Sequence, residues 1–148
     1  MATLFDQTDR ESILRRIAAL VPDRAPAWGK FSASEMVCHV NASLRQGLGD
    51  LDVGKPTGPF RFPVINWLAI HVLPWPKGKA KSPAAFLNTK ATSWDADVET
   101  LRSLIDRFGQ RDPAAAWPKS AAFGRISGGS WGVLQYRHLD HHLRQFRC

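Results

Sequence analysis

Apolar residues in this chain recur at the three-to-four spacing of helices, and nowhere do they alternate over a run long enough to build a sheet. The clearest instance begins at Ser32-Ala33-Ser34-Glu35. There a serine hydroxyl stands where it can satisfy an orphan amide N–H, and a glutamate three residues on can reach back. Phe31 and Met36 flank the pair as a hydrophobic staple. The stripe Met36, Val37, Val40, Leu44 and Leu48 follows, with Gly47 and Gly49 at its end, which predicts a helix over 33–48. Thr8-Asp9-Arg10-Glu11 reads as a second capping box, opening a helix that carries Ile13, Leu14, Ile17, Leu20 and Val21 and closes at Pro22. A short, almost uniformly apolar helix is expected over 64–72, either buried or part of a binding surface. A longer one starts at Pro83 or Ser93 and runs to Phe108, and Ser130 caps a last helix over 131–146. Turn-rich or basic stretches at 50–59, 74–83 and 111–129 separate them. The fold class that follows is all-α, a bundle of four main helices joined by long connections.

The length, 148 residues, suits a single domain, 1–148, and 44% hydrophobic with 22% charged residues is an ordinary globular balance. Cys38 and Cys148 are the only cysteines and form no CxxC pair, which excludes a disulfide framework and argues against a zinc ribbon. The N-terminus carries Asp6 and Asp9 and lacks the apolar core of a secretory signal. The most apolar stretch, 60–75, is interrupted by Pro63 and Pro74 and falls short of the ~20 residues of a membrane span. The expectation is a soluble, cytoplasmic protein. The formal net charge of +7 suits an anionic partner. Basic residues are nevertheless spread along the chain and no nucleic-acid-binding motif accompanies them, so nucleic acid is not the expected partner.

The histidines single out a site. On a helical wheel with Trp131 at zero, His138 falls at about 340° and His142 at about 20°, on the face of Leu134, Leu139 and Phe146. His141 falls at about 280°, at the edge of that face. Two imidazoles one turn apart can clamp one metal ion, and a catalytic site wants a third ligand from another element. His39, at the border of the apolar stripe of helix 33–48, is the candidate. Gln135 and Gln145 flank the His138/His142 face and are candidates to orient an imidazole. Glu35, one turn before His39, is read mainly as the capping-box carboxylate, Asp140 as a solvated surface group and Cys38 as off the ligand face. His71 is a lesser candidate for the mouth of the site, and Trp117 with Phe123 for a lid.

Trp131-Gly132, Tyr136 and the run from His138 through Asp140, His141, His142, Arg144 and Gln145 to Phe146 resemble the C-terminal signature of the DinB/YfiT-like metalloenzymes, in a branch known as a domain of unknown function. Trp28-Gly29-Lys30 with Ser32, Met36 and His39, and the pair Phe123-Gly124, are similar to further elements of that pattern. The resemblance implies a DinB-like four-helix bundle, often dimeric. It also implies a divalent metal, zinc or nickel, held by His39, His138 and His142. The chemistry it implies is transfer or isomerisation with a low-molecular-weight thiol, or hydrolysis. One departure is plain: many relatives carry His-Pro just before the Phe-Gly pair, and here Ala121-Ala122 stand there. A non-catalytic metal or small-ligand binding protein is the alternative that the same residues allow.

Overall fold

In the computed structural model, residues 1–52, 54, 58–77 and 91–148 are described. They form five α-helices: α1 (Gln7–Ala18), α2 (Ala33–Leu48), α3 (Pro63–His71), α4 (Trp94–Gln110) and α5 (Gly128–Gln145), with a 3₁₀ turn at Pro59–Arg61. Among the described residues the only β pairing is an isolated bridge between Ser120 and Gly124. No described helix is long and apolar enough to cross a membrane. The all-α expectation therefore holds.

The four long helices close a ring in which α1 packs on α4 and α5, and α2 packs on α4 and α5. Consecutive helices α1 and α2 thus lie across the bundle from each other, which is why the connection between them must travel. Each contributes an apolar stripe to one core, with Ile13 and Ile17, Val37 and Leu44, Leu101 and Ile105, and Trp131 and Leu139 all nearly inaccessible. α3 packs outside the ring, against α5. The carbonyls of its last turn, and that of Leu73 just beyond, are taken up by two side chains: Arg137 donates to Ile70 O and Leu73 O, and Trp75 Nε1 donates to Ala69 O at 3.0 Å.

α2 has the expected bounds, 33–48. Ser32 accepts from Glu35 N, Glu35 accepts from Ser32 N, and Gly49 ends the helix in the left-handed region at φ 88°. Two other starts differ from expectation. Asp6, not Thr8, caps α1, because its carboxylate accepts from Asp9 N at 3.0 Å; Glu11 bonds Gln7 instead. α1 also ends at Ala18, well before Pro22. Ser127, not Ser130, caps α5, accepting from Ser130 N at 3.1 Å, so that Gly128 and Gly129 are helical. Of the two proposed starts for the fourth helix, Ser93 is the cap observed; Pro83, with Lys79 and Lys81 of the basic loop, lies outside the described residues.

Two of the helical glycines of α5, Gly128 and Gly132, are there for packing. A Cβ on Gly128 would sit 2.1 Å from the carbonyl oxygen of Pro113, and one on Gly132 would sit 2.4 Å from Thr3 Oγ1 and 2.5 Å from the Phe5 ring. The N-terminal segment crosses α5 there, with Leu4 N donating to Gly132 O at 3.2 Å. Gly128→Ala meets main chain rather than a movable side chain. It is expected to destabilise the fold by about 1–3 kcal/mol, read as a lowered midpoint in urea unfolding.

Candidate metal centre

α2 and α5 meet at their buried faces, and the side chains that meet are histidines. His39 Nε2 lies 2.9 Å from His138 Nε2, and His142 Nε2 lies 3.2 Å from the same atom. All three ligand atoms fall within 4.8 Å of one another, a group that could hold a metal ion. His39 and His142 are buried and His138 is partly so. α5 supplies two of the rings because i and i+4 share a helix face, and the face that carries them is the one the wheel selected. His141 is half-buried beside them, edge-on to the His142 ring, and is not part of the group.

The remote nitrogens of the two α5 rings are held by polar side chains. Gln145 Nε2 donates to the Trp28 carbonyl at 2.7 Å, and a carbonyl can only accept. That fixes the amide so that its Oε1 faces His142 Nδ1 at 2.8 Å. His142 Nδ1 must then carry the proton, and His142 Nε2 presents a bare lone pair to the centre of the cluster. On the other side, His138 Nδ1 is 3.1 Å from Ser43 Oγ, which also contacts the amide of buried Gln135. Gln145 is thus the imidazole-orienting residue expected, and Gln135 acts one step further out, through Ser43. Ser43 went unrecognised in the sequence. Its only signal is position, four residues after His39 and hence on the same face of α2.

Gly29 explains the first part of the Trp-Gly-Lys motif. Its φ of +79° places the chain in the left-handed region, and a Cβ there would sit 2.7 Å from Gln145 Nε2. The Trp28 carbonyl can approach Gln145 only because residue 29 has no side chain on that side.

Electrostatically the cluster is built for neutral rings. Burial lowers the pKa of His39 to about 4. Burial and the charge of His39 lower that of His142 to about 3, against the hydrogen bond that His142 donates to Gln145. His138 is held well below the usual histidine value by burial and then by its three histidine neighbours. Glu35 keeps to its capping box, where the Ser32 hydrogen bonds lower its pKa. Asp140, expected to be solvated, instead bridges Arg16 at 2.8 Å and Arg144 at 3.0 Å. Cys38 faces the Asp97 carboxylate at 3.8 Å, away from the imidazoles.

Aromatic rings wall the cluster. Phe31 packs 5.3 Å from the His39 ring and 6.0 Å from that of His142; Trp75 packs 5.9 Å from His138, and Trp28 packs 5.8 Å from His141. The Lys77 ammonium lies 4.7 Å from the Trp28 ring centre. Trp28 is therefore a site residue rather than simple core packing. His71 is not at the site: it bonds Ser130 Oγ at 3.1 Å and stacks on Trp67. The proposed lid is not one either, since Trp117 packs against Phe5, Phe108 and Trp131, and Phe123 against Phe60. Ala121-Ala122 stand in the turn that the Ser120–Gly124 bridge closes.

No curated protein and no solved structure matches the chain. The model of a family described as a protein of unknown function, DUF1569, matches residues 4–148, and the chain belongs to that family.

Proposed function

We propose that His39, His138 and His142 bind one divalent transition metal, zinc or nickel, and that the chain is a metal-dependent enzyme of the DinB-like kind. Its reaction class is transferase or isomerase chemistry with a low-molecular-weight thiol, or hydrolysis. The observation that carries the reading is the convergence of three Nε2 atoms while Gln145 and Ser43 hold the outer nitrogens of two of the rings. Three nitrogens each 2.0–2.1 Å from one ion in tetrahedral array stand about 3.3 Å apart, and the contacts of 2.9 and 3.2 Å are close to that spacing. The Gln145 arm also leaves a lone pair of His142 aimed at the centre of the cluster, the orientation that a ligand to a shared cation needs.

The DinB-like reading is supported by where the two motif stretches meet. Trp28-Gly29 holds Gln145, Gln145 holds His142, and His39 joins His138 from the neighbouring helix α2. A metal held by three neutral ligands keeps its full charge and, when bound, supplies a Lewis acid that lowers the pKa of a water or thiol. The protein's part is to keep the rings deprotonated, to fix the His142 tautomer through Gln145, and to screen the cluster from solvent with Phe31, Trp28 and Trp75.

One observation favours the alternative, a non-catalytic metal or small-ligand binder. Among the described residues the two nearby carboxylates are engaged elsewhere, Glu35 with Ser32 and Asp140 with two arginines, so neither serves as a general base. Elemental analysis of the purified protein beside His138→Ala tests the shared premise. Near one equivalent of transition metal is expected in the parent and little in the variant. A parent that stays metal-free after incubation with zinc and nickel would refute both readings. Turnover of thiol-transfer or hydrolytic substrates by the loaded protein separates enzyme from binder.

A further inference from the structure

Eight of the ten large hydrophobic side chains exposed among the described residues fall between Phe60 and Leu73, on the 3₁₀ turn, α3 and the turn after it. Val64 is 71% exposed, Val72 55%, Trp67 54% and Phe62 51%. Scattered exposed apolar residues need no explanation, but a contiguous set of this kind marks a surface that meets something. α3 is held to α5 from its inner side, where Asn66, Ala69 and Ile70 are buried and Arg137 grips its C-terminus, so the exposure is not a matter of a loose helix.

The charge of the chain segment that carries this face, read from the sequence, says what it meets. Residues 53–94 contain none of the chain's 13 Asp and Glu and six of its 20 Lys and Arg, so nearly all of the net charge of +7 belongs to the segment that carries the apolar face. Of these cations, Arg61 is exposed with its guanidinium 5.2 Å from the Phe62 ring, and Lys77 is exposed just beyond α3. Exposed Arg125 follows Gly124, whose Cβ position is 3.6 Å from Arg61. Apolar and aromatic side chains with cations at the edge match the boundary of an anionic bilayer, where hydrocarbon takes the former and headgroup phosphates the latter. A second copy of the chain matches poorly, since a two-fold contact through this segment would bring together two sets of cations with no Asp or Glu between residues 53 and 94 to pair them. Nucleic acid would pair the cations but leave the aliphatic side chains in water.

We propose that the α3 face docks the protein on the surface of an anionic phospholipid membrane. The helix lies in the interface rather than spanning it, because Pro63–His71 is about 13 Å long against a hydrocarbon core of about 30 Å. Trp75 links this surface to the histidine cluster: its indole N–H is anchored on α3 at Ala69 O, and its ring packs against His138. Docking through α3 therefore brings a wall of the candidate metal centre close to the bilayer. The inference stands on residues other than the three histidines and does not depend on metal binding.

Co-sedimentation of the intact protein with phosphatidylglycerol-containing vesicles, and with pure phosphatidylcholine vesicles, is the test. The protein is expected to pellet with the anionic vesicles, less so at high salt, and to stay in solution with the neutral ones. Val64→Glu/Trp67→Glu, which alters only exposed side chains, is expected to weaken binding at least about tenfold with its circular dichroism and thermal midpoint preserved. The proposal is overturned if the parent ignores anionic vesicles, if it binds neutral vesicles equally well, or if the double variant binds like the parent. Light scattering that shows a dimer, split to monomer by the double variant, would also overturn it by assigning the face to a second copy.

Discussion

Metal-free protein is expected to lose stability steeply as the pH falls below about 6.5, by up to about 4 kcal/mol per pH unit. The sign follows from burial. In the unfolded chain the three histidines titrate near 6.5. In the folded protein His39 is lowered to about 4 and His142 to about 3 by burial, and His138 lies well below 6.5 for the same reason. Above 6.5 both states are neutral and the folded state keeps its full stability. Below it the unfolded chain takes up protons that the folded cluster refuses, each costing about 1.4 kcal/mol per pH unit, until the folded values are reached. Of the titratable groups beside the cluster, His141 is also lowered, by burial first; the Asp140 carboxylate offsets part of that, and Lys77 and Arg144 add to it. Three protons over one and a half pH units amount to about 6 kcal/mol, comparable to the whole stability of an ordinary domain. Urea unfolding in chelator at pH 7.5, 6.5 and 5.5 reads the slope directly. His138→Leu, which removes one titrating ring, should make it shallower by about a third. A stability that stays flat between pH 7.5 and 5.5 would mean that the rings are not held neutral.

How much of this was legible in the sequence depends on where each signal resides. α2 was readable to the residue because its start and stop are local chemistry: Ser32 and Glu35 satisfy each other's amides, and Gly49 takes the left-handed conformation. The start of α5 was misread because Gly128 and Gly129 look like loop residues. Gly128 is helical for a tertiary reason, the Pro113 carbonyl lying against it, and nothing near it in the sequence announces that contact. Thr8 failed as a cap because Asp6, two residues earlier, reaches the same class of amide first. The histidine cluster was legible because two members share one helix face and the third lies on another apolar stripe. Its supports were less so. Gln145 stood on the right face, but its other partner is the main chain of residue 28, and Ser43 is a lone hydroxyl inside a helix. The apolar stretch at 64–72 was legible as either core or surface; only its packing outside the ring decides for surface.

Gln145→Leu is expected to weaken metal binding about 10–100-fold without removing a ligand. In the native arrangement the Trp28 carbonyl fixes the amide, the amide oxygen accepts from His142 Nδ1–H, and the His142 Nε2 lone pair is thereby presented to the cluster. Leucine fills similar volume but accepts nothing, so the ring loses both its tautomer preference and its orientation, and the Trp28 carbonyl loses its donor. Gly29→Ala should reach the same end from the other side. Its new Cβ would stand 2.7 Å from Gln145 Nε2, and the φ of +79° adds about 1–2 kcal/mol of backbone strain. The flexible amide is the group that yields, so His142 is released although neither substituted residue touches metal. Ser43→Ala should act likewise through His138. Glu35→Gln is the contrasting variant: glutamine also serves at the third position of a capping box, so metal affinity should be unchanged. Competition with a chromogenic chelator, read beside the thermal midpoint of each metal-free variant, separates these outcomes. Equal affinities for Gln145→Leu and the parent would show that the hydrogen bond to His142 serves folding alone. A loss in Glu35→Gln as large as that in Gln145→Leu would instead place the carboxylate in the metal centre, against the geometry of its bond to Ser32.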